Sequence, residues 1–335
     1  MSKRDIIVIG GSVGSLSVLK DITSKLPSGF PAAVFIVWHM APNSPGLLPE
    51  ILTRQGALPA VHAQDFEKFE PGRIYVAPPD RHLLIEDSRV RISKGPRENR
   101  FRPAIDPLFR SAAQAYGERV VGVILSGGLD DGTAGLWTIK EFGGTAIIQD
   151  PSDAENSSMP LSARRKVRVD HIVPGKDIAN LLIRLCNEEA LEEKRIMSEK
   201  PEKNEIEIGI AGGDEALRKG VLELGPPSYF TCPDCHGVMV EIVEDKNIRF
   251  RCHTGHAFSS GTLLAEVTES IEDSLWNTIR AMDENVLLLR HLGEHLKTDD
   301  AELATIYVEE AERIERRSQK IRETLRENHH IYPPE

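Results

Sequence analysis

The sequence predicts an α/β fold, a doubly wound and mostly parallel sheet over residues 1–186, followed by a small zinc-knuckle module and a C-terminal helical hairpin. Three observations predict it. Apolar runs at 6–9, 32–38, 74–77, 120–125, 145–148 and 171–173 alternate with helical patterns at 15–25, 107–116, 132–141 and 177–185. Cysteines and histidines then gather between residues 231 and 258. Finally, apolar residues recur every three or four positions from Leu264 to Leu289, and again from Leu303 to Leu325.

The strand runs are apolar without interruption, which suits parallel strands covered on both faces. Their alternation with helices is the pattern of a doubly wound domain. Residues 73–93 read instead as short antiparallel strands around the Pro78-Pro79-Asp80 turn. Residues 187–208 are rich in Glu, Lys and Arg and poor in apolar side chains. They read as a solvated helix or flexible linker. The expected boundaries are therefore a catalytic domain at 1–186, a charged linker at 187–228, a zinc-ribbon-like module at 229–260 and a helical hairpin at 261–328. With so little apolar linker, the halves are expected to fold independently. The two closing helices, broken at Lys297–Asp300, are expected to pack on each other rather than form a partner-binding coiled coil.

Composition narrows the class. Apolar residues make up 40% and charged residues 28% of the 335, as in ordinary globular proteins. No apolar run reaches the roughly 18 residues of a membrane span, so the protein is not expected to be membrane-embedded. The run at 6–9 is too short for a signal-peptide core, which points to a cytoplasmic protein. A net charge of −11 argues against general nucleic-acid binding, which needs a basic face. Four cysteines in such a protein suggest metal or isolated thiols before disulfides. Cys186, alone at the end of an apolar helix, reads as buried filler.

Candidate catalytic side chains follow three of the strands. Ser12 sits in Gly10-Gly11-Ser12-Val13-Gly14, a sharp strand-to-helix turn where glycines clear space around a hydroxyl. His39 closes the next strand, and Gly127-Gly128-Leu129-Asp130-Asp131 carries a carboxylate to a helix start. In an open parallel sheet the carboxyl ends of strands converge on the ligand crevice, so the three could meet. His39 would take the Ser12 proton, Asp131 would fix the imidazole tautomer, and backbone N–H groups would hold the oxyanion. Such chemistry asks for no cofactor. Read alone, the glycine turn could equally be a phosphate-binding dinucleotide turn, though Trp38-His39 stands where its ribose-binding acid would be. His39 alone could be structural, and Asp130 and Asp131 could be turn residues.

Several segments resemble the catalytic domain of chemotaxis protein-glutamate methylesterases, the CheB family. They lie in order at 8–15, 37–42, 72–82, 99–111, 122–135 and 148–163, with Tyr75-Val76-Ala77-Pro78-Pro79-Asp80 and the run from Asn99 to Phe109 the most specific. The resemblance implies that Ser12, His39 and Asp131 are nucleophile, base and acid. It further implies hydrolysis of glutamate γ-methyl esters on methylated chemoreceptors, with release of methanol, and deamidation of receptor glutamines in some members. Val13, Met40 and Gly128 would line the oxyanion and substrate pocket. Two residues depart from the family pattern: Val13 replaces a threonine and Gly128 a methionine. The family's N-terminal receiver domain is not expected here, since only five residues precede the first apolar run. A non-catalytic signalling scaffold that binds receptor or partner helices is the alternative.

The pattern Cys232-x2-Cys235-x16-Cys252-x3-His256 suits one tetrahedral structural zinc. Residues 238–243 and 248–251 read as a hairpin between the two knuckles. His236 and His253 directly follow cysteines, which strains same-site ligation and leaves His256 as the expected fourth ligand. Without metal, so small a module would lack an obvious staple.

Overall fold

A computed structural model describes residues 3–188 and 201–327. Within it, two compact units divide near residue 263.

The first unit opens with β1 (Ile6–Gly11), α1 (Leu16–Lys25), β2 (Ala33–Trp38) and α2 (Leu48–Gln55). Short strands β3 (Ala60–His62) and β4 (Ile74–Val76) follow, then β5 (His82–Glu86) and β6 (Arg89–Ser93). The domain continues through α3 (Ile105–Tyr116), β7 (Val120–Ile124), α4 (Thr133–Glu141) and β8 (Thr145–Gln149). It ends with α5 (Ser158–Lys166), β9 (His171–Val173) and α6 (Gly175–Asn187). Seven strands form one sheet in the order β3-β4-β2-β1-β7-β8-β9, and every pair in it is parallel.

Strand alternation decides which helix covers which face. Ile6 and Val8 of β1 join Phe35, Leu108, Phe109 and Leu136 in one core, beneath α3 and α4. Ile7 and Ile9 point the other way, into a second core with Leu19, Ile22, Leu52 and Leu182 from α1, α2 and α6. Both faces are thus buried, which explains why these strands carry no polar alternation. The chain runs outward from β1 to β2 on one side and resumes at β7 on the other. The loops after β1, β2 and β7 therefore open on the topological switch point, where ligands bind in such sheets.

The segment from 73 to 93 differs from its expectation. Its first strand, β4, pairs in parallel with β2 and β3, and only β5 and β6 are antiparallel. The reversal lies at Asp87-Ser88, both with positive φ (38° and 68°), rather than at the prolines. Such left-handed pairs suit two-residue hairpins, because their twist matches the strands.

Beyond α6, residues 189–200, the first part of the expected linker, lie outside the described residues. Next come α7 (Pro201–Ala211), the short α8 (Ala216–Lys219), β10 (Pro227–Thr231), β11 (Val238–Glu244), β12 (Asn247–Cys252) and β13 (Ala257–Ser259). The four strands form an antiparallel sheet in chain order.

The boundary expected at residue 186 is not where the molecule divides. Helix α7 packs on α3, with Asn204 Nδ2 donating to Gln114 Oε1 at 3.0 Å. Its Glu207 is buried and accepts from Arg249 and Arg251 of β12. The charges that read as solvated are thus partly internal, because they meet opposite charges from other elements. Glu98 joins this network by accepting from both Arg110 and Arg251. Burial would push the Glu98 carboxyl up, but the two guanidinium groups hold it below the ordinary carboxylate range. Removing one partner from such a buried network leaves an unpaired charge, typically a loss of about 3–5 kcal/mol.

The second unit continues α9 (Ser260–His295), which starts in the first, and adds α10 (Ala301–Glu327). The helices are antiparallel, with Arg290 bound to Glu315 at 2.6 Å and Asp283 accepting from Ser318 at 3.1 Å. Ile279, Val286, Ala304 and Ala311 are buried. The expected stripe does not stay buried along its whole length, since Leu264, Val267 and Ile271 are exposed. With 27 residues against 36, α10 is too short to cover the early turns of α9. No helix among the described residues is long and apolar enough to cross a membrane.

Candidate active site and cysteine cluster

A pocket of about 410 Å³ opens at the switch point, lined by Ser12, Val13, Trp38, His39, Met40 and the arginines Arg97, Arg100 and Arg102. Four of these residues, Ser12, Val13, His39 and Met40, were expected at the site. How the sequence places each is legible in the backbone.

Ser12 follows directly on β1. Its amide donates to the Ser126 carbonyl at 2.9 Å, and its carbonyl accepts from Ser15 N, Ser15 Oγ and Trp38 Nε1. The turn around it is thereby fixed on both sides. Gly14 holds φ +79°, and a Cβ there would lie 2.5 Å from Glu155 Cβ, so only glycine fits. Gly127 presses on the serine from the β7 loop, where an added Cβ would come within 2.9 Å of Ser12 Cβ and 2.1 Å of Met159 Sδ. Gly128, expected in the pocket, is not among its lining residues and faces Asn156 instead. One step along the loop separates the two glycines, and motif spacing alone does not tell which side faces the serine.

His39 is held by its backbone to Gly11 and by its ring to Asp131, with Nε2 and Oδ2 2.8 Å apart. Phe101 stacks on the imidazole at 3.7 Å between centroids and 10° between planes. Nδ1 is buried and has no hydrogen-bond partner. Because Asp131 accepts at Nε2, the neutral ring carries its proton there and leaves the Nδ1 lone pair as the basic site. Ser12 lines the same pocket, and its hydroxyl is not hydrogen-bonded to the ring in this structure.

Every neighbour of the Asp131 carboxylate is a donor. Oδ2 accepts from His39 Nε2 and from Ile105 N at 2.7 Å; Oδ1 accepts from Asn99 Nδ2 at 2.9 Å and faces Asp106 N at 3.4 Å. The two amides open α3, so the positive end of that helix also points at the carboxylate. Burial pushes Asp131 up, yet the His39 and backbone hydrogen bonds more than offset it and keep the group below its ordinary value.

Asp106 shares the Asn99 Nδ2 donor at 3.0 Å and accepts from Gly135 N at 2.6 Å. Burial, and then the Asp131 charge, push it up to about 7. With fewer donors than Asp131, it is the member of the pair that holds a proton. An unfolded aspartate titrates near about 3.9, so its contribution to stability is complete below that value and lost as pH rises through the folded value. The melting temperature is therefore expected to fall from about pH 4 to about pH 7, and Asp106→Asn is expected to flatten that fall. Thermal unfolding followed by circular dichroism across this range checks it; an equally steep fall in the variant would remove Asp106 as the source.

Neither Asn99 nor Phe101 was singled out by chemistry in the sequence. Both lie in the run resembling the family, but carboxamide and phenyl groups carry no reactivity that would mark them.

In the second sheet, one ligand atom each from Cys232, Cys235, Cys252 and His256 lies within 4.8 Å of the others. Cys235 Sγ is 3.7 Å from Cys252 Sγ, and His256 Nδ1 is 3.7 Å from Cys232 Sγ and 3.6 Å from Cys252 Sγ. The spacing predicted this grouping, including His256 over its two rivals.

Residues 7–182 match the model of the CheB methylesterase family. The chain belongs to that family. A Leptospira interrogans protein provisionally named protein-glutamate methylesterase/protein-glutamine glutaminase is 42% identical over 54% of this chain and 94% of its own length. A protein-glutamate methylesterase/protein-glutamine glutaminase 2 of Anaeromyxobacter dehalogenans is 34% identical over 54% of this chain, which spans only 53% of that relative. Among solved structures, the CheB methylesterase catalytic domain of Thermotoga maritima matches with TM-score 0.53 and 34% identity, over 55% of this chain and all of that one. The matched CheB region contains Ser12, His39 and Asp131 and ends before α7 and the cysteine cluster.

Proposed function

We propose that the protein is a serine hydrolase that demethylates glutamate γ-methyl esters on chemoreceptor-like proteins in the cytoplasm, releasing methanol. The observation that carries the reading is the buried His39–Asp131 pair beside Ser12, with Nε2 engaged and Nδ1 free of partners. Ser12 Oγ attacks the ester carbonyl while His39 Nδ1 takes its proton. Asp131 stabilises the imidazolium through Nε2–H. The proton then passes to the departing methoxide, giving methanol and an acyl-enzyme. Water, activated by the same histidine, releases the glutamate. A glutamine side chain would follow the same course and release ammonia. Amides at the Val13 side of the α1 turn and beside Met40 are the candidates for holding the oxyanion. Arg97, Arg100 and Arg102 line the same pocket and would suit a substrate segment with acidic neighbours. Methanol release from methylated receptor tests the reading; a folded protein that binds receptor and releases none would favour the scaffold alternative.

For the cysteine cluster we propose one structural zinc, with Cys232, Cys235, Cys252 and His256 as ligands. At a Zn–S bond of about 2.3 Å, a tetrahedron has edges of about 3.8 Å, close to the separations observed here. His256 presents Nδ1 to the cluster, while its Nε2 lies 3.8 Å from Asp234 Oδ2, an arrangement that orients a ligating ring. Metal analysis of protein from zinc-replete medium is expected to find about one equivalent, and none in Cys232→Ser/Cys235→Ser. Equal metal content in both would reject the assignment.

A further inference from the structure

We propose that the cysteine-cluster sheet positions the catalytic acid and base, with Asn99 and Ser259 as the positioning residues. The inference rests on the Ser12–His39–Asp131 reading and adds a dependence on the C-terminal sheet.

The connection runs through one small turn. Glu98 and Phe101 exchange backbone hydrogen bonds, so Asn99 and Arg100 form a two-residue reversal, with φ of 50° and 75°. Asn tolerates a left-handed conformation, but arginine there costs about 1 kcal/mol or more. Such a turn needs support, and β13 supplies it on both sides. Asn99 N donates to the Ala257 carbonyl at 2.8 Å, and Ala257 N donates to the Arg97 carbonyl at 3.2 Å. Ser259 N donates to Asn99 Oδ1 at 2.8 Å, which fixes the carboxamide so that Nδ2 points at Asp131 and Asp106. The same turn carries Phe101, whose ring lies on His39.

A second link reaches the loop itself. Ser259 Oγ donates to Asp130 Oδ1 at 2.5 Å, and Thr262 Oγ1 donates to the same oxygen at 3.1 Å. Asp130 is the immediate neighbour of Asp131, so β13 grips the acid both through Asn99 and along its own chain. Asn99, Asp130, Ser259 and Thr262 are all buried. Beneath them, Glu98 and Arg251 tie turn and sheet together by an ion pair of 2.7 Å. Two of the three catalytic side chains are thus oriented by a segment outside the sheet that bears them.

The test compares full-length wild type, Asn99→Ala, Ser259→Ala and Ser259→Thr in two assays. One is methanol release from methylated receptor; the other is phosphonylation of Ser12 by a fluorophosphonate, which reads serine reactivity whatever the natural ester. Asn99→Ala is expected to lower kcat and the phosphonylation rate by between about ten- and a hundredfold, with KM within about twofold. Ser259→Ala is expected to lose about tenfold, and Ser259→Thr, which keeps the hydroxyl, to recover most of it. Should Asn99→Ala fail to fold, the Ser259 pair decides alone. Folded variants that phosphonylate at the wild-type rate, or a fall in rate matched in Ser259→Thr, would overturn the proposal. Wild type that is phosphonylated but releases no methanol would refute the substrate reading and leave this inference standing or falling on the variants.

Discussion

Replacing Ser12 by alanine is expected to lower methyl-ester hydrolysis by a factor on the order of 10⁶, the scale seen when a triad loses its nucleophile. Ser12 is held through its own backbone groups: its amide to Ser126, and its carbonyl to Ser15 and the Trp38 indole. None of these uses the hydroxyl. The variant is therefore expected to fold and melt like the wild type, which makes the loss chemical rather than structural. His39→Ala should match it in size, and the double variant should be no worse, because the pair acts as one unit. Methanol release and melting temperature, measured together, decide the matter. Activity within about tenfold of wild type would mean that another group is the nucleophile.

Asp131→Asn is expected to cost a factor on the order of 10⁴. Its environment offers donors only, from His39, Ile105, Asp106 and Asn99. An asparagine must turn an NH₂ toward at least one of them. If the amide nitrogen faces His39, the ring is forced to carry its proton on Nδ1, which then has no lone pair to take the serine proton. If it faces α3 instead, two N–H groups meet head on. Either way the variant suffers more than an isosteric swap suggests. Asp130→Asn keeps an acceptor for Ser259 and Thr262 and is expected to lose about tenfold or less. The reverse ranking of the two aspartates would show that the loop places Asp130, not Asp131, on the histidine.

Much of the first unit could be read from the chain because both faces of its sheet are buried. Runs such as Ile6–Ile9 and Val34–Val37 admit no reading but a covered strand. The three-residue strand β3 and helix α2 carry no such signal, since a few intermediate residues beside prolines look like loop. Ser12, His39 and Asp131 were legible because strand ends in a parallel sheet point one way. Asn99 was not, since its role comes from contacts with Asp106, Asp131 and Ser259, up to 160 residues away. For the same reason Glu207, in the segment read as solvated, showed no sign of burial until Arg249 and Arg251 were brought to it. Local composition reports polarity, while burial of paired charge is a property of the assembled fold.

Both outermost strands of the parallel sheet, β3 and β9, are only three residues long. Margins so short give an incoming chain too few free amides and carbonyls to dock as an added strand. On the proposed function, a protein substrate would then be recognised by its side chains at the mouth of the pocket while keeping its own backbone hydrogen bonds. An amphipathic helix does that, because its backbone is already satisfied and only its surface need be read. The parallel sheet that carries Ser12 and His39 at its strand ends thus offers little at either margin for an added strand.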